Sequence, residues 1–245
     1  MKKITVLIPC YNEEEGIANV LHDIQREKLH QLGYIVDIAV IDNNSSDNTS
    51  KVAKENGARV IFEPKKGKGN AIKTGFESIS SDTDYIIMLD GDDTYKASEI
   101  QRLIEPLESN FCDVVVGSRL GGKMMNGSLR IRNRMANWAY TFLVRHFYHA
   151  NITDVLSGFF AWKKTSLDGL TLHLESDGFA IEMEMVTKMV KLDYEIYSVP
   201  ITYKVRKGKT KIDSLKDGLR ILKMFFANLN WTPNKKYKSP IRIHK

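Results

Sequence analysis

The chain has 245 residues, 42% of them hydrophobic, and its 36 lysines and arginines against 30 acidic residues give a formal net charge of +6. This length is enough to bury a full core and fits one α/β domain. The positive charge suits a phosphorylated ligand or an anionic membrane. We expect no nucleic-acid partner, because no nucleic-acid-binding motif occurs in the sequence.

The sequence also argues against a membrane span and a secretory leader. No apolar run is long enough for a transmembrane helix, and the start is a strand pattern leading into a polar loop rather than a signal peptide. Cys10 and Cys112 lie within or beside apolar strand patterns, which is typical of reduced core cysteines. We therefore expect a cytoplasmic protein.

Apolar strand patterns alternate with helix-length segments along the chain. Each strand pattern ends in polar or charged residues. This alternation predicts βαβ units and a Rossmann-like, mostly parallel central sheet flanked by helices, in which several loops converge on one site. The strand patterns cover residues 4–9, 34–41, 60–62, 85–89, 113–117 and 200–205.

The fourth strand pattern ends in an acidic cluster, Asp90-Gly91-Asp92-Asp93. A buried strand delivers such carboxylates to the carboxyl edge of a sheet, where open α/β folds bind their ligands. Mg²⁺ and Mn²⁺ prefer carboxylate oxygens and usually bring a phosphate with them. Asp90 and Asp92 are therefore predicted metal ligands. Asp93 is either a further ligand or the N-cap of a helix that begins near Lys96.

A basic, glycine-rich segment, residues 65–71, follows the third strand pattern. Within it, Lys68 lies between two glycines directly before a helix pattern. Glycines allow close backbone approach, and the N-terminus of a helix favours anions. The position of Lys68 therefore favours an anion, whereas Lys65 and Lys66 are typical of a flexible basic turn.

Eight motifs occur in one order over roughly residues 1–212, and together they resemble the inverting family 2 glycosyltransferases with the A-type nucleotide-sugar fold. Within that family, the sequence is most similar to the polyprenyl-phosphate sugar transferases of the dolichyl-phosphate mannose or glucose synthase type. Asn43 departs from the family, where an aspartate is frequent. The motifs are IPCYNE from Ile8, DNNSSDNT from Asp42, GKGNA from Gly67, DGD from Asp90, GSR from Gly117, DVLSGF from Asp154, GFAIE from Gly178 and RKGKTK from Arg206.

The resemblance implies one A-type glycosyltransferase domain, residues 1–212, that takes a hexose from a nucleotide sugar. It implies a metal-dependent reaction, in which Mg²⁺ or Mn²⁺ held by Asp90 and Asp92 neutralises the leaving diphosphate. The nucleotide-sugar contacts are assigned to the residues that match the family's positions: Pro9, Tyr11, Glu13, Asp42, Lys68, Asp90, Arg206 and Lys211.

The predicted acceptor is a polyprenyl or dolichyl phosphate. A hydroxyl acceptor needs a general base, whereas a phosphate monoester, with a second pKa of about 6, is already largely ionised at neutral pH and needs cations instead. The resemblance places Arg119, Arg130 and Arg134 at this phosphate. Arg132 fits a solvated helix face instead.

A loop that closes on the sugar is implied for the segment beginning at Asp154. This places Asp154 near the reaction centre, together with the other predicted catalytic residues Asp90, Asp92 and Arg119. Ser157 and Gly158 allow a tight backbone in this loop, and Ser157 is also assigned to the acceptor phosphate.

Several alternatives stay open. The acceptor is a saccharide or another hydroxyl compound in one alternative, and in another the chain is a silent subunit that presents lipid. UDP and GDP donors are not distinguished, and neither are glucose and mannose. Glu182 and Glu184 share a helix pattern, where one of them binds a sugar hydroxyl or forms a salt bridge with a basic neighbour.

Residues 213–232 form a predicted amphipathic helix, and residues 233–245 form a basic tail. The helix either packs on the domain or lies in a membrane surface with its cations near the headgroups. We expect peripheral association with the cytoplasmic membrane face or with a membrane partner subunit. The apolar positions of the helix are Leu215, Leu219, Leu222, Phe225, Phe226, Leu229 and Trp231.

Overall fold

The computed structural model describes residues 1–233, in which strands and helices alternate. The strands are β1 (Lys2–Cys10), β2 (Tyr34–Asp42), β3 (Arg59–Phe62), β4 (Tyr85–Met88), β5 (Val114–Met124), β6 (Phe160–Lys163) and β7 (Ile196–Tyr203). The helices are α1 (Ile17–Asp23), α2 (Arg26–Gln31), α3 (Thr49–Glu55), α4 (Lys68–Glu77), α5 (Ile100–Glu108), α6 (Ile131–Tyr148), α7 (Lys164–Thr171), α8 (Ile181–Lys191) and α9 (Lys216–Leu229), and a 3₁₀ turn, Ala97–Glu99, precedes α5.

The strands form one seven-stranded sheet in the order β3-β2-β1-β4-β6-β5-β7. Neighbouring strands are parallel except at β6, which runs antiparallel to both β4 and β5. The predicted single α/β domain with a mostly parallel central sheet is therefore confirmed. β6 was not predicted, because a four-residue strand carries too little pattern to stand out.

Helices cover both faces of the sheet, which explains why the central strands are apolar on both sides. One core layer lies between the sheet and helices α1, α2, α3 and α5, and residues such as Val6 and Ile87 point into it. The other lies between the sheet and helices α4 and α6 to α9, and residues such as Leu7 and Ile86 point into it. Alternate residues of each strand thus serve opposite layers.

The carboxyl ends of the parallel strands meet at one edge of the sheet. Cys10 at the end of β1 pairs with Asp42 at the end of β2, and Leu7 pairs with Met88, two residues before Asp90. The loops after β1, β2, β3 and β4 therefore open onto the same side of the molecule. This shared edge positions the candidate site.

The predicted C-terminal helix is confirmed as α9. Ile221 and Phe225 are buried on the second core layer, and the Asn228 amide donates to the Thr187 hydroxyl of α8 at 2.8 Å. Leu219 and Phe226 of the predicted apolar stripe point outward instead. The basic tail prediction falls mainly on residues 234–245, which lie outside the described residues.

Helix α6 runs beside α9 and continues its exposed apolar surface. The Tyr140 hydroxyl of α6 donates to the Gly218 carbonyl of α9 at 3.0 Å. Across residues 1–233, no helix combines the length and apolarity that crossing a bilayer requires. The large exposed apolar side chains of the two helices and their entries are Ile131, Met135, Trp138, Phe142, Phe147, Leu215, Leu219 and Phe226.

Candidate active site

The acidic pair Asp90 and Asp92 lies directly after β4, at the carboxyl edge of the sheet. Asp92 is buried, and its Oδ1 accepts hydrogen bonds from the backbone N–H and the hydroxyl of Thr94, at 3.1 and 2.5 Å. Burial, and then the nearby charge of Asp90, raise the pKa of Asp92 above its ordinary value. The two carboxylates therefore lie close enough to repel each other, which is the situation a divalent cation relieves.

Lys68 lies between two carboxylates. As the first residue of α4, it places its Nζ 2.7 Å from Asp90 Oδ1 and 2.6 Å from Glu182 Oε1. Burial disfavours the ammonium, but Asp90 and Glu182 outweigh it and raise the pKa of Lys68. Of the two alternatives for Glu182, the structure contains the salt bridge to a basic neighbour.

The loop that carries Lys68 is held by Asn43, the residue that departs from the family pattern. The Asn43 amide donates to the Lys65 carbonyl at 2.7 Å and accepts from the Gly67 N–H at 2.6 Å. Gly67 has a φ of +136°, which favours glycine. An aspartate could accept from Gly67 but could not donate to Lys65. The asparagine at position 43 thus has a defined role in this loop.

A second set of charges comes from the segment after β7. Arg206 Nη1 lies 2.7 Å from Asp92 Oδ2, while its Nη2 lies 2.5 Å from Glu13 Oε1. Lys211 Nζ lies 2.6 Å from the same Glu13 oxygen. Burial raises the pKa of Glu13 to about 7 even though both cations oppose the rise. Glu13 Oε2 and Arg206 Nε are buried without a hydrogen-bond partner among the described residues.

The backbone of this segment is fastened to the acidic loop after β4. The Lys204 N–H donates to the Thr94 carbonyl at 2.7 Å, and the Lys207 N–H donates to the Asp92 carbonyl at 3.0 Å. Asp93 pairs with the Lys204 ammonium at 3.0 Å and accepts from the Asn19 amide. The alternative role of Asp93 as a helix N-cap is therefore wrong, since its carboxylate is taken up by side chains.

Three further residues that are predicted to contact the nucleotide sugar lie at the same edge of the sheet. Asp42 is buried, and its carboxylate accepts from the Ser45 N–H and the Ser50 hydroxyl. The Tyr11 hydroxyl accepts from Lys66 Nζ at 2.9 Å. Pro9 pairs with Ile41 in the sheet, one residue before Asp42. The structure brings these residues to one side of the acidic pair, and their contacts with a nucleotide stay a prediction.

Arg119 and Asp154 form a closed, buried pair. Arg119 Nε and Nη2 lie 2.8 Å from the two oxygens of Asp154, and the Arg119 N–H donates to the same carboxylate at 2.9 Å. The Asn137 amide of α6 also donates to Asp154, at 2.7 Å. Burial disfavours the Asp154 carboxylate, but Arg119 and Asn137 hold its pKa below the ordinary value. Asp154 is therefore a poor proton acceptor.

Arg119 is less available to an acceptor phosphate than the sequence suggests. Its Nη2 also donates to the Leu156 carbonyl at 2.6 Å, and its side chain is 9% exposed. The pair joins the middle of β5 to the loop before β6 and to α6. Its direct contribution in this structure is to hold that loop in place, and its contact with a phosphate stays a prediction.

Ser157 likewise uses its hydroxyl internally. The hydroxyl donates to the Gly117 carbonyl at 2.6 Å and accepts from the Phe159 N–H at 3.1 Å. The adjacent Gly158 lies directly against Asp90, where a Cβ would overlap the carboxylate. The loop from Asp154 therefore packs against Asp90. A phosphate contact by Ser157 would require its hydrogen bonds to Gly117 and Phe159 to change.

The predicted acceptor arginines of α6 are open to solvent. Arg130 is the N-cap residue of α6, and Arg134 lies one turn into the helix; both side chains are exposed. Arg132 is also exposed, and it donates to the Ser214 hydroxyl at 3.4 Å. Arg130 and Arg134 can thus receive an anion without breaking an internal contact that the structure contains.

Glu184 has a structural role that differs from that of Glu182. Its two oxygens accept the N–H groups of Glu175 and Ser176, and Lys188 Nζ lies 2.6 Å away. Both Glu184 and Lys188 are buried. Glu184 therefore anchors the loop before α8, and Glu182 is the acid of this helix that reaches the candidate site.

Several residues of this site were not predicted from the sequence. Lys204 could have been found by its position two residues before Arg206, and Asn137 by its position one turn after Arg134. Tyr95, whose hydroxyl accepts from the Gly158 N–H at 2.6 Å, lies two residues after the acidic cluster. In each case the partner lies far along the chain, so the sequence alone does not pair them.

The donor atoms of the acidic pair suit a hard divalent cation. Mg²⁺ is commonly held by one or two carboxylates together with substrate phosphates and water, and Asp90 and Asp92 supply two carboxylates. Residues 1–233 contain no cluster of three or more acidic, histidine or cysteine side chains that could hold a metal. Cationic groups of Lys68 and Arg206 already contact these two carboxylates, so the site is one that accepts positive charge.

A comparison with known proteins gives the family. The profile described as Glycosyl transferase family 2 matches residues 5–170, which is more than half of the chain. The chain belongs to this family. The acidic pair and the Lys68 loop both lie inside the matched region.

Two curated relatives of this family 2 glycosyltransferase cover most of its length. It is 34% identical to Glycosyltransferase AglJ of Haloferax volcanii over 221 residues, which are 88% of this chain and 68% of that protein. It is 28% identical to the undecaprenyl-phosphate mannosyltransferase of Micrococcus luteus over 221 residues, 86% of this chain and 87% of the relative. The Micrococcus luteus relative, whose name contains undecaprenyl phosphate, thus matches over most of both chains.

A solved structure supports the A-type fold. Glucosyl-3-phosphoglycerate synthase from Mycobacterium tuberculosis, in complex with Mn²⁺, UDP and phosphoglyceric acid, matches 96% of this chain and 80% of its own with a TM-score of 0.71. The two sequences are 20% identical, so the likeness establishes the fold and not the substrate.

Proposed function

We propose that this enzyme moves a hexose, with inversion, from a UDP- or GDP-linked donor to a polyprenyl or dolichyl phosphate. The observation that carries the proposal is the convergence of charge at one edge of the sheet. The two carboxylates after β4 contact Lys68 and Arg206, and Glu13 after β1 contacts both Arg206 and Lys211.

The donor half of the proposal uses this convergence. Asp90 and Asp92 would hold Mg²⁺ or Mn²⁺, which supplies Lewis-acid neutralisation of the diphosphate as the glycosidic bond breaks. Lys68 lies in a loop at the N-terminus of α4, a position that favours phosphate oxygens. Asp42, Pro9, Tyr11 and Glu13 then remain for the nucleoside, as the family pattern implies.

The acceptor half of the proposal rests on the fact that a phosphate acceptor needs no general base. A lipid phosphate arrives ionised, and Arg130 and Arg134 are exposed and free of salt bridges among the described residues. Asp154, which accepts from Asn137 of α6, is held ionised by Arg119 and is a poor base. The name of the Micrococcus luteus relative, an undecaprenyl-phosphate mannosyltransferase, supports the same acceptor class.

Membrane association is part of the proposal. The α6–α9 surface, defined by the exposed apolar side chains of these two helices, carries Trp138 at 64% exposure and Leu219 at 63%. Exposed cations, including Arg134 and Lys223, lie on the same two helices. An apolar surface with cations at its border fits an anionic bilayer. It would bring residues 1–212 to the cytoplasmic face of a membrane, where the lipid acceptor lies.

A panel assay tests the reaction. Purified protein is incubated with Mn²⁺ and a set of UDP- and GDP-hexoses, with and without polyprenyl phosphate, and release of the nucleoside diphosphate is measured. We expect release from one donor, dependent on the lipid phosphate and abolished by a chelator. Release that depends instead on a saccharide would favour the hydroxyl-acceptor alternative. No release from any donor would favour the silent subunit.

Vesicle flotation tests the α6–α9 surface. Leu219→Ser with Phe226→Ser should reduce flotation with anionic vesicles, because both side chains are exposed and their loss removes apolar burial in the bilayer. Phe225 is unsuitable for this test, since it is fully buried. Phe62→Ser is the matched control, because Phe62 is exposed to a similar degree on β3 at the edge of the sheet. Equal flotation of all three proteins would contradict membrane binding by this surface.

A further inference from the structure

We propose that Arg206 is a built-in occupant of the metal site, which holds Asp92 and Glu13 until the donor arrives and then moves to its diphosphate. The divalent ion and the nucleotide would therefore bind as a coupled pair, and neither would bind well alone. This inference rests on the proposed function, because it assumes that Asp90 and Asp92 are the metal ligands.

The first support is that the acidic side chains already have cationic partners. Asp92 contacts Arg206 at 2.7 Å, and Asp90 contacts Lys68 at 2.7 Å. A metal ion that approached these carboxylates alone would have to displace both cations or bind against their charge. Like charges at such distances repel strongly, more so in a partly buried site.

The second support is that Arg206 can leave while its segment stays. The backbone on either side is fastened, because the Lys204 and Lys207 N–H groups donate to the Thr94 and Asp92 carbonyls. The Arg206 guanidinium, in contrast, is held by side-chain contacts alone, and the Arg206 side chain is 27% exposed. A rotation of this side chain moves one positive charge without unfolding the segment.

The third support is that the present partners satisfy Arg206 and Glu13 incompletely. Arg206 Nε and Glu13 Oε2 are both buried and lack hydrogen-bond partners in the described part of the chain. A diphosphate offers several charged oxygens that can accept from a guanidinium in a bidentate manner. The diphosphate is therefore a better partner for Arg206 than Glu13 and Asp92 are.

Coupling follows from these three points. The diphosphate draws Arg206 away from Asp92, which frees a carboxylate oxygen for the metal, and the metal in turn neutralises the diphosphate. Linkage requires the effect to be reciprocal, so the metal must tighten nucleotide binding by the same factor as the nucleotide tightens metal binding. Such coupling factors typically reach about 5- to 150-fold.

Isothermal titration calorimetry measures this coupling with Mn²⁺, UDP and GDP. In the wild type we expect Mn²⁺ to bind at least about tenfold more tightly when UDP or GDP saturates the protein. In Arg206→Gln, two changes of opposite sign are expected. Mn²⁺ alone binds more tightly than to the wild type, since its competitor is gone, while the Mn²⁺–nucleotide complex binds less tightly. A residue with a merely structural role would not raise the affinity for Mn²⁺.

Lys207→Gln is the matched control. It removes one positive charge from the neighbouring position, whose side chain is exposed, and leaves the backbone bond to Asp92 in place. If Lys207→Gln raised the Mn²⁺ affinity as much as Arg206→Gln, the effect would be one of general charge and the inference would be wrong.

The outcomes separate this inference from the proposed function. Mn²⁺ binding in the wild type that does not change with UDP or GDP would overturn the coupling and leave a metal-dependent transferase standing. Unchanged Mn²⁺ affinity in Arg206→Gln would do the same. Failure of Mn²⁺ to bind even with UDP or GDP present would overturn both.

Discussion

Two arginine–aspartate contacts lie near the candidate site, and they differ in almost every other respect. Arg119 and Asp154 are both buried, meet through two contacts of 2.8 Å, and receive further bonds from Asn137 and the Arg119 backbone. Arg206 meets Asp92 through one contact of 2.7 Å, is partly exposed, and leaves its Nε without a partner.

The difference distinguishes a structural contact from a temporary one. Within the described residues, the Arg119–Asp154 pair leaves no buried polar side-chain atom without a hydrogen-bond partner, so it fixes the loop that supports Asp90. Arg206 also contacts Glu13, which in turn contacts Lys211, and Arg206 Nε has no hydrogen-bond partner among the described residues. Arg206 is therefore available to bind a ligand, whereas Arg119 is not. The predictions below contradict or sharpen this contrast.

The largest expected effect is on stability, at the first pair. Asp154→Ala leaves the buried Arg119 without its counter-ion and should lower the free energy of unfolding by about 3–5 kcal/mol. Asp37→Ala, which breaks the partly exposed Arg59–Asp37 contact at 2.9 Å, is the control and should cost no more than about 1 kcal/mol. Denaturant unfolding measures both. Equal losses in the two variants would show that the first pair is no stronger a structural contact than a surface one.

The second effect is on catalysis, at the second pair. Asp92→Asn keeps the shape of the side chain but removes a metal ligand, so it should lower turnover by at least about 100-fold, or about 2.7 kcal/mol. Asp93→Asn is the control, because Asp93 pairs with Lys204 rather than with Arg206. Initial rates at saturating Mn²⁺ decide the matter. Full activity in the presence of a chelator would refute the metal assignment.

The third effect is a pH dependence caused by Glu13. Burial raises the folded-state pKa of Glu13 from 4.5 to about 7. The folded protein therefore binds the Glu13 proton more tightly than the unfolded chain does. The stabilisation from this protonation is fully present below the unfolded-state pKa of 4.5 and is lost as the pH rises through about 7. Glu13→Gln removes this loss and should gain about 3 kcal/mol on the wild type above that window.

Unfolding midpoints measured at a series of pH values test this prediction. The comparison between Glu13→Gln and the wild type cancels the contributions of other buried acids, such as Glu182. If the stability difference between the two proteins did not change across the window, Glu13 would not titrate there, and the second pair would be more completely satisfied than we infer.

The smallest effect concerns the acceptor phosphate. Arg134→Ala should raise the apparent acceptor constant at least about tenfold, or about 1.4 kcal/mol, because a charge-assisted contact is lost. Arg145→Ala, an exposed arginine near the other end of α6, is the control. Arg119→Ala is a poor test, since it also breaks the buried pair. If the donor constant rose as much as the acceptor constant in Arg134→Ala, the assignment to the acceptor would be wrong.

The fold was largely predictable from the sequence, because it depends on local patterns. Each long apolar strand that ends in polar residues was found, and the order of strands and helices then dictated a mostly parallel sheet. β6 escaped because it has four residues and continues an apolar loop. β7 starts at Ile196, four residues before the predicted start, because its first half is only partly buried.

The candidate site was predictable in its members but not in its pairings. Asp90, Lys68 and Arg206 stood out because each lies where a motif ends a strand or begins a helix. That Lys68 contacts Glu182, or that Arg119 is enclosed by Asp154, depends on residues that are 114 and 35 positions apart in the sequence. Sequence spacing carries no information on such contacts, so the roles of Arg119 and Ser157 were assigned by resemblance alone.

Helix α8 fixes the distance between the candidate active site and α9. Its first turn carries Glu182, which holds Lys68, and its second turn carries Thr187, which holds Asn228 of α9. Five residues of helix span about 7.5 Å. A rigid spacer, rather than a flexible tether, therefore separates the donor pocket from α9. If α9 lies on a bilayer, the lipid phosphate has to reach a fixed elevation above it, and lengthening α8 would move that elevation out of reach.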